Sequence, residues 1–254
     1  DIYMNSSKKT IFESIISSYP TPSYVFDIGE LTEWVDEIRN TLPAGISLCY
    51  AMKANPFLTA AMAQLTDRLE VCSPGEYEIC IRNNIDPDMI VVSGVNKTPA
   101  SMERIMSYSK GAGIYTIESP LHYTILKDIC IGTNLITENR RLRILLRLSN
   151  GNQFGMDHNT LISLIRNIQK DNIMDIIGIH YYGGTQKTSK KMQHELDTLK
   201  ELGNELTHEY NLHDLELEYG PGLSVDYFIE KNTSADKTEQ LKELTEMISH
   251  IDNY

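Results

Sequence analysis

Short runs of aliphatic and β-branched residues alternate along the chain with longer stretches whose apolar residues have the spacing of amphipathic helices. The predicted strands are Ile46–Ala54, Leu69–Ser73, Met89–Ser93, Gly113–Glu118, Leu142–Ser149, Ile176–Tyr182 and Leu215–Tyr219. The helix-like segments include Leu58–Leu65, Ser101–Ser109, Leu161–Gln169, Lys191–Tyr210 and Lys237–Ile251. Strands and helices that alternate at roughly 20–40-residue intervals predict a parallel sheet, either open or closed into a barrel.

The two faces of the predicted strands favour the closed barrel. In the first strand, Lys53 shares a face with three small residues, whereas bulkier side chains occupy the other face. In the sixth strand, Gly178, His180 and Tyr182 share one face, and the intervening residues, Ile177 among them, share the other. Because small and polar side chains suit a narrow barrel interior, we expect these faces to point inward. The pattern predicts an α/β fold of the TIM (β/α)8 type, whose active sites lie at the C-terminal ends of the strands.

The pattern contains seven strands rather than eight. After Gly222 the chain continues through residues 227–232 and a helix-like stretch, and it reaches residue 254 about where an eighth strand would begin. We therefore expect a barrel that lacks strand 8. Residues 1–23 are interpreted as an N-terminal segment and residues 24–254 as the barrel domain.

Composition excludes several classes of function. The 254 residues include 23 Lys and Arg against 35 Asp and Glu, and the net charge of −12 makes nucleic acid an unexpected partner. There is no apolar run long enough for a membrane span, and the first residues do not have the pattern of a secretory signal. The four cysteines form no C-x-x-C pair, which argues against a zinc site or a disulfide framework and favours the reducing cytoplasm.

Lys53 is the first candidate for chemistry. A lysine that points into a barrel interior loses hydration, which favours its neutral amine and allows a Schiff base with a carbonyl compound. The alternative is a structural lysine whose ammonium pairs with Glu216 or Glu218. Position alone leaves both interpretations open.

Two glycine-containing segments follow the sixth and seventh strands. Gly183–Gln186 and Gly220–Gly222 lie where barrels often bind phosphate through backbone N–H groups, although Gly-Pro-Gly is also an ordinary turn. On the inward face, His180 and Tyr182 offer rings against which a flat cofactor could stack, whereas a lone histidine is also common as a core residue bound to a carboxylate. Ser73 is followed three residues later by Glu76, a spacing typical of a helix-capping box.

The segment Tyr50–Pro56 (YAMKANP) resembles the cofactor-lysine motif of the fold type III decarboxylases that use pyridoxal 5′-phosphate (PLP). This family contains the diaminopimelate, ornithine and arginine decarboxylases and has a barrel similar to that of alanine racemase. Further segments follow in the order of the family: Pro22–Asp27, Val71–Glu76, Ser93–Thr98, Ile117–Ser119, Gln153–Gly155, Gly178–Gln186 and Gly220–Gly222. The resemblance extends from about residue 20 to residue 227.

The resemblance implies a site and a reaction. Lys53 would carry PLP as a Schiff base, and an α-amino acid would lose CO2 with the pyridinium ring as electron sink. The expected cofactor-binding residues are Lys53, Glu70, Ser73, Arg147, His180, Tyr182, Thr185, Gly220 and Gly222. Glu70 and Glu218 occupy positions where the family usually has Asp. A small amino acid is the expected substrate, and a homodimer is expected for the full-length protein.

Three positions depart from the family pattern. Tyr182 replaces the histidine that stacks on the cofactor, Gln153 replaces a lysine, and Pro221 replaces a glycine of the phosphate loop. The strand-8 glutamate that pairs with the pyridinium nitrogen, and the C-terminal β-domain, have no counterpart in these residues. We therefore expect this chain by itself to be an incomplete decarboxylase, and the departures leave the substrate undetermined.

Other interpretations stay open at this point. A non-enzymatic PLP homeostasis protein is a single-domain barrel of similar length, but its lysine context differs from YAMKANP. A decarboxylase-like pseudoenzyme is a second alternative, which intact Lys53 and the glycine segments disfavour. A racemase is a third, disfavoured because Ser73–Glu76 and Gly183–Gln186 resemble the decarboxylase segments.

Overall fold

A computed structural model describes residues 6–135, 140–225 and 234–251. The chain divides into two compact units, Asp1–Val35 and Asp36–Tyr254. The smaller unit contains helix α1 (Ser6–Ser18), and α2 (Ile28–Thr41) begins in it and ends in the larger unit. The division into residues 1–23 and 24–254 stays a prediction.

The larger unit contains one sheet of seven parallel strands that pair in chain order. The strands are β1 (Cys49–Ala51), β2 (Arg68–Val71), β3 (Ile90–Val92), β4 (Ile114–Ile117), β5 (Leu142–Arg147), β6 (Met174–Tyr182) and β7 (Glu216–Gly220). The helices that follow are α3 (Thr59–Leu65), α4 (Pro74–Arg82), α5 (Pro99–Ser109), α6 (Pro120–Thr133), α7 (His158–Asp171), α8 (Ser189–Tyr210) and α9 (Ser234–Ile248). Each predicted strand is found at its predicted place, with ends that differ by a few residues.

The sheet curls as the barrel prediction requires. Arg68 on β2 donates from Nη2 to Glu216 Oε1 on β7 at 3.0 Å, although these strands are five positions apart in the sheet. Inward side chains of distant strands meet in this way only when a sheet curves back on itself. Within residues 6–135, 140–225 and 234–251 there is no eighth strand, in agreement with the predicted TIM-type barrel that lacks strand 8.

Apolar side chains fill part of the barrel interior. Val91, Ile114 and Leu145 are fully buried there, with Cys49 and Ile177 packed against them. The position of Ile177 differs from the prediction, which assigned it to the opposite face from Gly178. The register of β5 and β6 shifts between Ile144 and Leu145, and this β-bulge skips Ile177 and turns it toward the interior.

Capped helices begin directly after several strands. Ser73, Thr98 and Ser119 each accept a hydrogen bond from a backbone N–H in the first turn of α4, α5 and α6, and a proline follows each cap. The predicted capping box at Ser73 is only half formed, because Glu76 Oε2 accepts from Cys72 N (2.7 Å). The caps fix three helix N-termini at the C-terminal ends of β2, β3 and β4. None of the helices in the described ranges is long and apolar enough to cross a bilayer.

Candidate functional site

Three of the predicted site residues, together with Glu218, lie on the inner face at the C-terminal ends of strands. In the sheet register, Arg147 on β5 is opposite His180 on β6, and His180 is opposite Glu218 on β7. Glu70 reaches the same place from β2, because its carboxylate Oε1 lies 3.3 Å from His180 Nε2. The alternation of inward and outward residues therefore brings these side chains together, as predicted.

Lys53 is exposed and lies beyond the end of its strand, whereas the prediction placed it on the strand and away from water. Strand β1 ends at Ala51, and Lys53 lies in a 3₁₀ turn, Met52–Ala54, where it is exposed. A second 3₁₀ turn, Pro56–Leu58, follows, and Asn55 caps it by accepting from Phe57 N. Desolvation of this lysine is thus not observed.

The amine of Lys53 nevertheless faces the predicted site. Its Nζ lies 4.8 Å from the centroid of the Tyr182 ring, a cation–π contact. The alternative pairing with Glu216 does not describe this structure, because Glu216 is bound to Arg68. Lys53 is therefore placed beside the ring expected to stack on a cofactor.

Glu70, His180 and Glu218 form a buried triad with opposite shifts of the two carboxyl pKa values. Burial raises the pKa of Glu70, but the hydrogen bond and charge of His180 and the charge of Lys53 outweigh it and lower this pKa to about 2. Burial raises the pKa of Glu218 to about 7, although His180, 3.9 Å away, opposes the shift. Near neutral pH one carboxyl is therefore ionised while the other is substantially protonated.

The triad also fits the structural interpretation of His180 as a core histidine bound to a carboxylate. His180 is 5% exposed, and its Nε2 lies between the two carboxylates. One ring nitrogen of His180 and one carboxylate oxygen each of Glu70 and Glu218 lie within 4.8 Å of one another. These three atoms could also bind a small cation. The hydrogen bond to Glu70 and the raised pKa of Glu218 also make this set one that can hold a proton near neutral pH.

A second charged cluster was missed as a site by the sequence analysis. Glu118 Oε2 accepts from Arg147 Nη1 at 2.7 Å, and Lys97 Nζ lies 3.8 Å from Glu118 Oε1. Lys97 is buried, which lowers its pKa to about 8 in spite of Glu118. Lys97 follows the predicted strand Met89–Ser93, and Glu118 is the last residue of the predicted strand Gly113–Glu118. Charges at the ends of buried strands were the signal that could have found them. The cluster fixes the guanidinium of Arg147.

The two glycine segments meet as a pair of loops after β6 and β7. Lys187 N donates to Gly222 O at 3.0 Å, and a Cβ at Gly222 would lie 2.0 Å from Gly184 O. Gly222 also has a φ of 61°, which favours glycine. The loops therefore approach each other so closely that a side chain at Gly222 is excluded. Glycine-rich backbone of this kind is typical of phosphate sites.

Tyr182 connects the loops to Lys53. A Cβ at Gly220 would lie 2.6 Å from Cδ2 of the Tyr182 ring, so glycine is needed for the ring to lie over this loop. Lys53, the ring and the glycine loop are thus adjacent. Thr185 is exposed beside the loops, whereas the Ser73 hydroxyl already caps α4.

Buried polar atoms in the same interior fit a bound polar group. Thr116 Oγ1 and His180 Nδ1 have no hydrogen-bond partner within the part of the chain that the structure describes. Buried polar atoms are almost always satisfied by protein, water or ligand. Together with the glycine loops and the aromatic ring, these atoms fit a flat, phosphorylated cofactor such as PLP.

Comparisons of sequence give relatives of one class. The chain is 24% identical over 263 residues to the diaminopimelate decarboxylase of Aquifex aeolicus, with 93% of this chain and 59% of that protein covered. It is 23% identical over 259 residues to the L-glutamyl-[BtrI acyl-carrier protein] decarboxylase of Niallia circulans, with 93% and 56% covered. The chain thus spans about half the length of its relatives, from 46% to 59% for the first three.

Solved structures show the same fold. The lysine/ornithine decarboxylase of Vibrio vulnificus in complex with putrescine superposes with a TM-score of 0.79 at 18% identity, covering 98% of this chain and 65% of that chain. The diaminopimelate decarboxylase of Helicobacter pylori in complex with L-lysine gives a TM-score of 0.77 at 17% identity, with 95% and 64% covered. Residues 28–253 match the family described as the pyridoxal-dependent decarboxylase, pyridoxal binding domain. The cofactor is therefore PLP, and the chain belongs to this family of pyridoxal-dependent decarboxylases.

Proposed function

We propose that the chain is the cofactor-binding part of a decarboxylase that removes the α-carboxyl group of an amino acid, with Lys53 as the residue that binds PLP covalently. The observation that carries this proposal is the adjacency of three parts: the Lys53 amine, the Tyr182 ring and the loop at Gly220. A PLP site needs an amine that forms the Schiff base, a surface on which the ring stacks and a loop that binds the phosphate. The three parts lie next to one another in this order.

Each part has a defined task in holding the cofactor. The backbone of Gly184, Gly220 and Gly222 and the hydroxyl of Thr185 would bind the phosphate, and Tyr182 would support the ring. Arg147, fixed by Glu118, places a positive charge at the end of β5. When bound, PLP supplies an electron sink for the carbanion that remains when CO2 leaves.

The buried triad holds protons beside this site. Glu70, with its low pKa, stays ionised and orients the imidazole of His180, while Glu218 holds a proton at its carboxyl near neutral pH. A charged and a neutral carboxyl on one histidine can retain or exchange a proton without exposure to bulk water. This is the contribution of the chain's own residues to acid–base chemistry.

The substrate class is proposed from the site and from the relatives. The relatives include decarboxylases of diaminopimelate, of lysine or ornithine, and of a carrier-bound glutamyl group. We propose an α-amino acid without choosing among them, because Tyr182 and Gln153 depart from the family pattern. A homodimer of the full-length protein and a cytoplasmic location complete the proposal.

The attachment of PLP to Lys53 can be tested directly. Purified protein incubated with PLP is reduced with borohydride, digested and analysed by mass spectrometry; the Lys53 peptide should carry the cofactor. An absorbance band at about 420 nm should be present before reduction and absent in Lys53→Ala. Lys170→Ala, which removes an exposed lysine on α7, should retain both signals. Label on another lysine, or a band that persists in Lys53→Ala, would contradict the proposal.

The reaction itself separates the proposal from its alternatives. CO2 release from a panel of L-amino acids is measured with the full-length protein and added PLP. Release from one amino acid supports the decarboxylase. Racemisation without CO2 release would favour a racemase, and bound PLP with no turnover would favour a homeostasis protein or a pseudoenzyme.

A further inference from the structure

Lys187 is a buried lysine to which the sequence analysis gave no role. It follows the loop Gly183–Gln186 directly, and its side chain is 0% exposed. Burial lowers its pKa, and the neighbouring Glu195 opposes that shift. A fully buried ammonium is costly, so its contacts indicate what it is for.

The ammonium of Lys187 connects helix α8 to the second glycine loop. Its Nζ donates to Glu195 Oε2 on α8 at 2.6 Å and to Gly220 O at 3.1 Å. The same carboxylate oxygen accepts from the Tyr219 hydroxyl at 2.8 Å, and the ammonium lies 5.1 Å from the centroid of the Tyr219 ring. One ion pair therefore contacts the strand β7 that leads into the loop, the loop itself and the helix behind it.

The same ion pair lies directly against the glycines of both loops. A Cβ at Gly183 would lie 2.2 Å from Glu195 Oε1 and 3.1 Å from Lys187 Nζ. A Cβ at Gly222 would lie 3.1 Å from Lys187 Cε. The space that these glycines leave open is thus occupied in part by the two charged side chains.

Stability alone does not explain a charged pair at this place. Replacing a buried ion pair with well-packed apolar residues is often neutral or stabilising, so such pairs are weak devices for holding a fold together. A buried ammonium does, however, hold the carbonyl of Gly220 in a fixed position through a directional bond. The backbone N–H of Lys187 donates to Gly222 O, so the position of the Lys187 side chain and that of Gly222 are linked.

We propose that Lys187 is a positioning residue that, together with Glu195, holds the two glycine loops at the spacing that binds the phosphate group of the cofactor. The proposal rests on the proposed function, because it requires that the loops bind this phosphate. It assigns the phosphate preference of the site in part to two side chains that do not touch the phosphate.

The test measures non-covalent binding of two compounds that differ only in the phosphate. Pyridoxamine 5′-phosphate and pyridoxamine have no aldehyde, so neither can react with Lys53, and calorimetric titration of the purified protein gives their affinities. The wild type should prefer the phosphorylated compound. In Lys187→Met this preference should fall by about tenfold or more, the worth of a hydrogen bond that involves a charged group, while the affinity for pyridoxamine changes little.

Two further variants separate positioning from folding. The double variant Lys187→Met/Glu195→Gln removes the uncompensated charge and should recover thermal stability while the phosphate preference stays low. Lys127→Met, which breaks the more exposed pair with Asp171, should leave the preference unchanged.

The outcomes also distinguish the inference from the function on which it rests. Failure of wild type to bind either compound would overturn the proposed function and this inference with it. A wild type that binds pyridoxamine 5′-phosphate, and a double variant that keeps the full preference, would overturn the role of Lys187 alone. Equal loss of affinity for both compounds would also overturn it, because a merely structural defect has that result.

Discussion

Two lysines follow strands of the same sheet, and their environments are opposite. Lys53 after β1 is exposed, and its amine lies over the face of the Tyr182 ring. Lys187 after β6 is fully buried and donates to Glu195 and Gly220. The reactive residue of the proposal is thus the accessible lysine, and the inaccessible one lies behind the two glycine loops. Position at the end of a barrel strand does not by itself tell a nucleophile from a structural charge.

The largest effect expected from this contrast is on folding stability. Lys187→Met leaves Glu195 buried without its cation, and we expect a loss of about 3–5 kcal/mol in the free energy of unfolding. Denaturant titration measures it, with Lys127→Met as the control, expected to lose less than about 1 kcal/mol because its partly exposed pair is solvated. Equal losses of stability in the two variants would contradict the burial of the Lys187–Glu195 pair.

A second prediction concerns the pH dependence of stability that a buried carboxyl causes. Glu195 has a lysine, Lys187, as its partner, whereas Glu218 lies near His180 and has a pKa raised to about 7. A carboxyl whose pKa is higher in the folded state contributes stability at low pH and loses it as pH rises. Between about pH 4.5 and pH 7 the contribution of Glu218 should therefore fall, by on the order of 2–3 kcal/mol.

The effect of Glu218 can be isolated by comparison with Glu70. Glu218→Gln should remove the fall in stability between about pH 4.5 and pH 7. Glu70 has a pKa lowered to about 2, so its contribution to folding stability is present above about pH 4.5 and is lost as the pH falls below it. Glu70→Gln should therefore change the pH dependence of stability below about pH 4.5 instead. Identical profiles of stability against pH for the two variants would contradict the opposite pKa shifts of Glu70 and Glu218.

A third prediction tests the loops that Lys187 contacts. Gly222→Ala places a methyl group where a Cβ would lie 2.0 Å from Gly184 O, and the left-handed φ of 61° adds strain. We expect a loss of about 2 kcal/mol in stability and weaker binding of PLP. Gly151→Ala is the matched control: its φ of 90° is also positive, but nothing lies within 4 Å of its Cβ. Unaltered PLP affinity in Gly222→Ala would argue against the loops as the phosphate site.

The smallest expected effect on stability is at Lys53. Because this side chain is exposed, Lys53→Met should change the free energy of unfolding by less than about 0.5 kcal/mol, although it abolishes covalent attachment of PLP. Thermal unfolding without the cofactor measures the first effect. A loss as large as that of Lys187→Met would erase the contrast between the two lysines.

The sheet and much of the site follow from period-2 alternation. Arg147, His180 and Tyr182 could be assigned to the inner face because parallel pairing keeps residues in register from strand to strand. The assignment failed where regularity failed. A bulge redirected Ile177, and the turn Met52–Ala54 ended β1 before Lys53. Both are local features that outweigh an alternating pattern.

Lys187 could not be recognised in the sequence for a different reason. It is followed by Thr, Ser and two more lysines, a composition typical of an exposed helix start. Its burial depends on Glu195, two turns along α8, and on Tyr219 from the next strand. Contacts that join three elements are set by tertiary packing, which single-sequence patterns do not contain.

The capped starts of α4, α5 and α6 have an electrostatic consequence for the whole chain. Each helix N-terminus has the equivalent of about half a positive charge, and Ser73, Thr98 and Ser119 fix all three beside the ends of adjacent strands. A chain with a net charge of −12 repels anions at long range. At the mouth of this barrel the three partial charges therefore reduce the repulsion that an anionic ligand would otherwise meet.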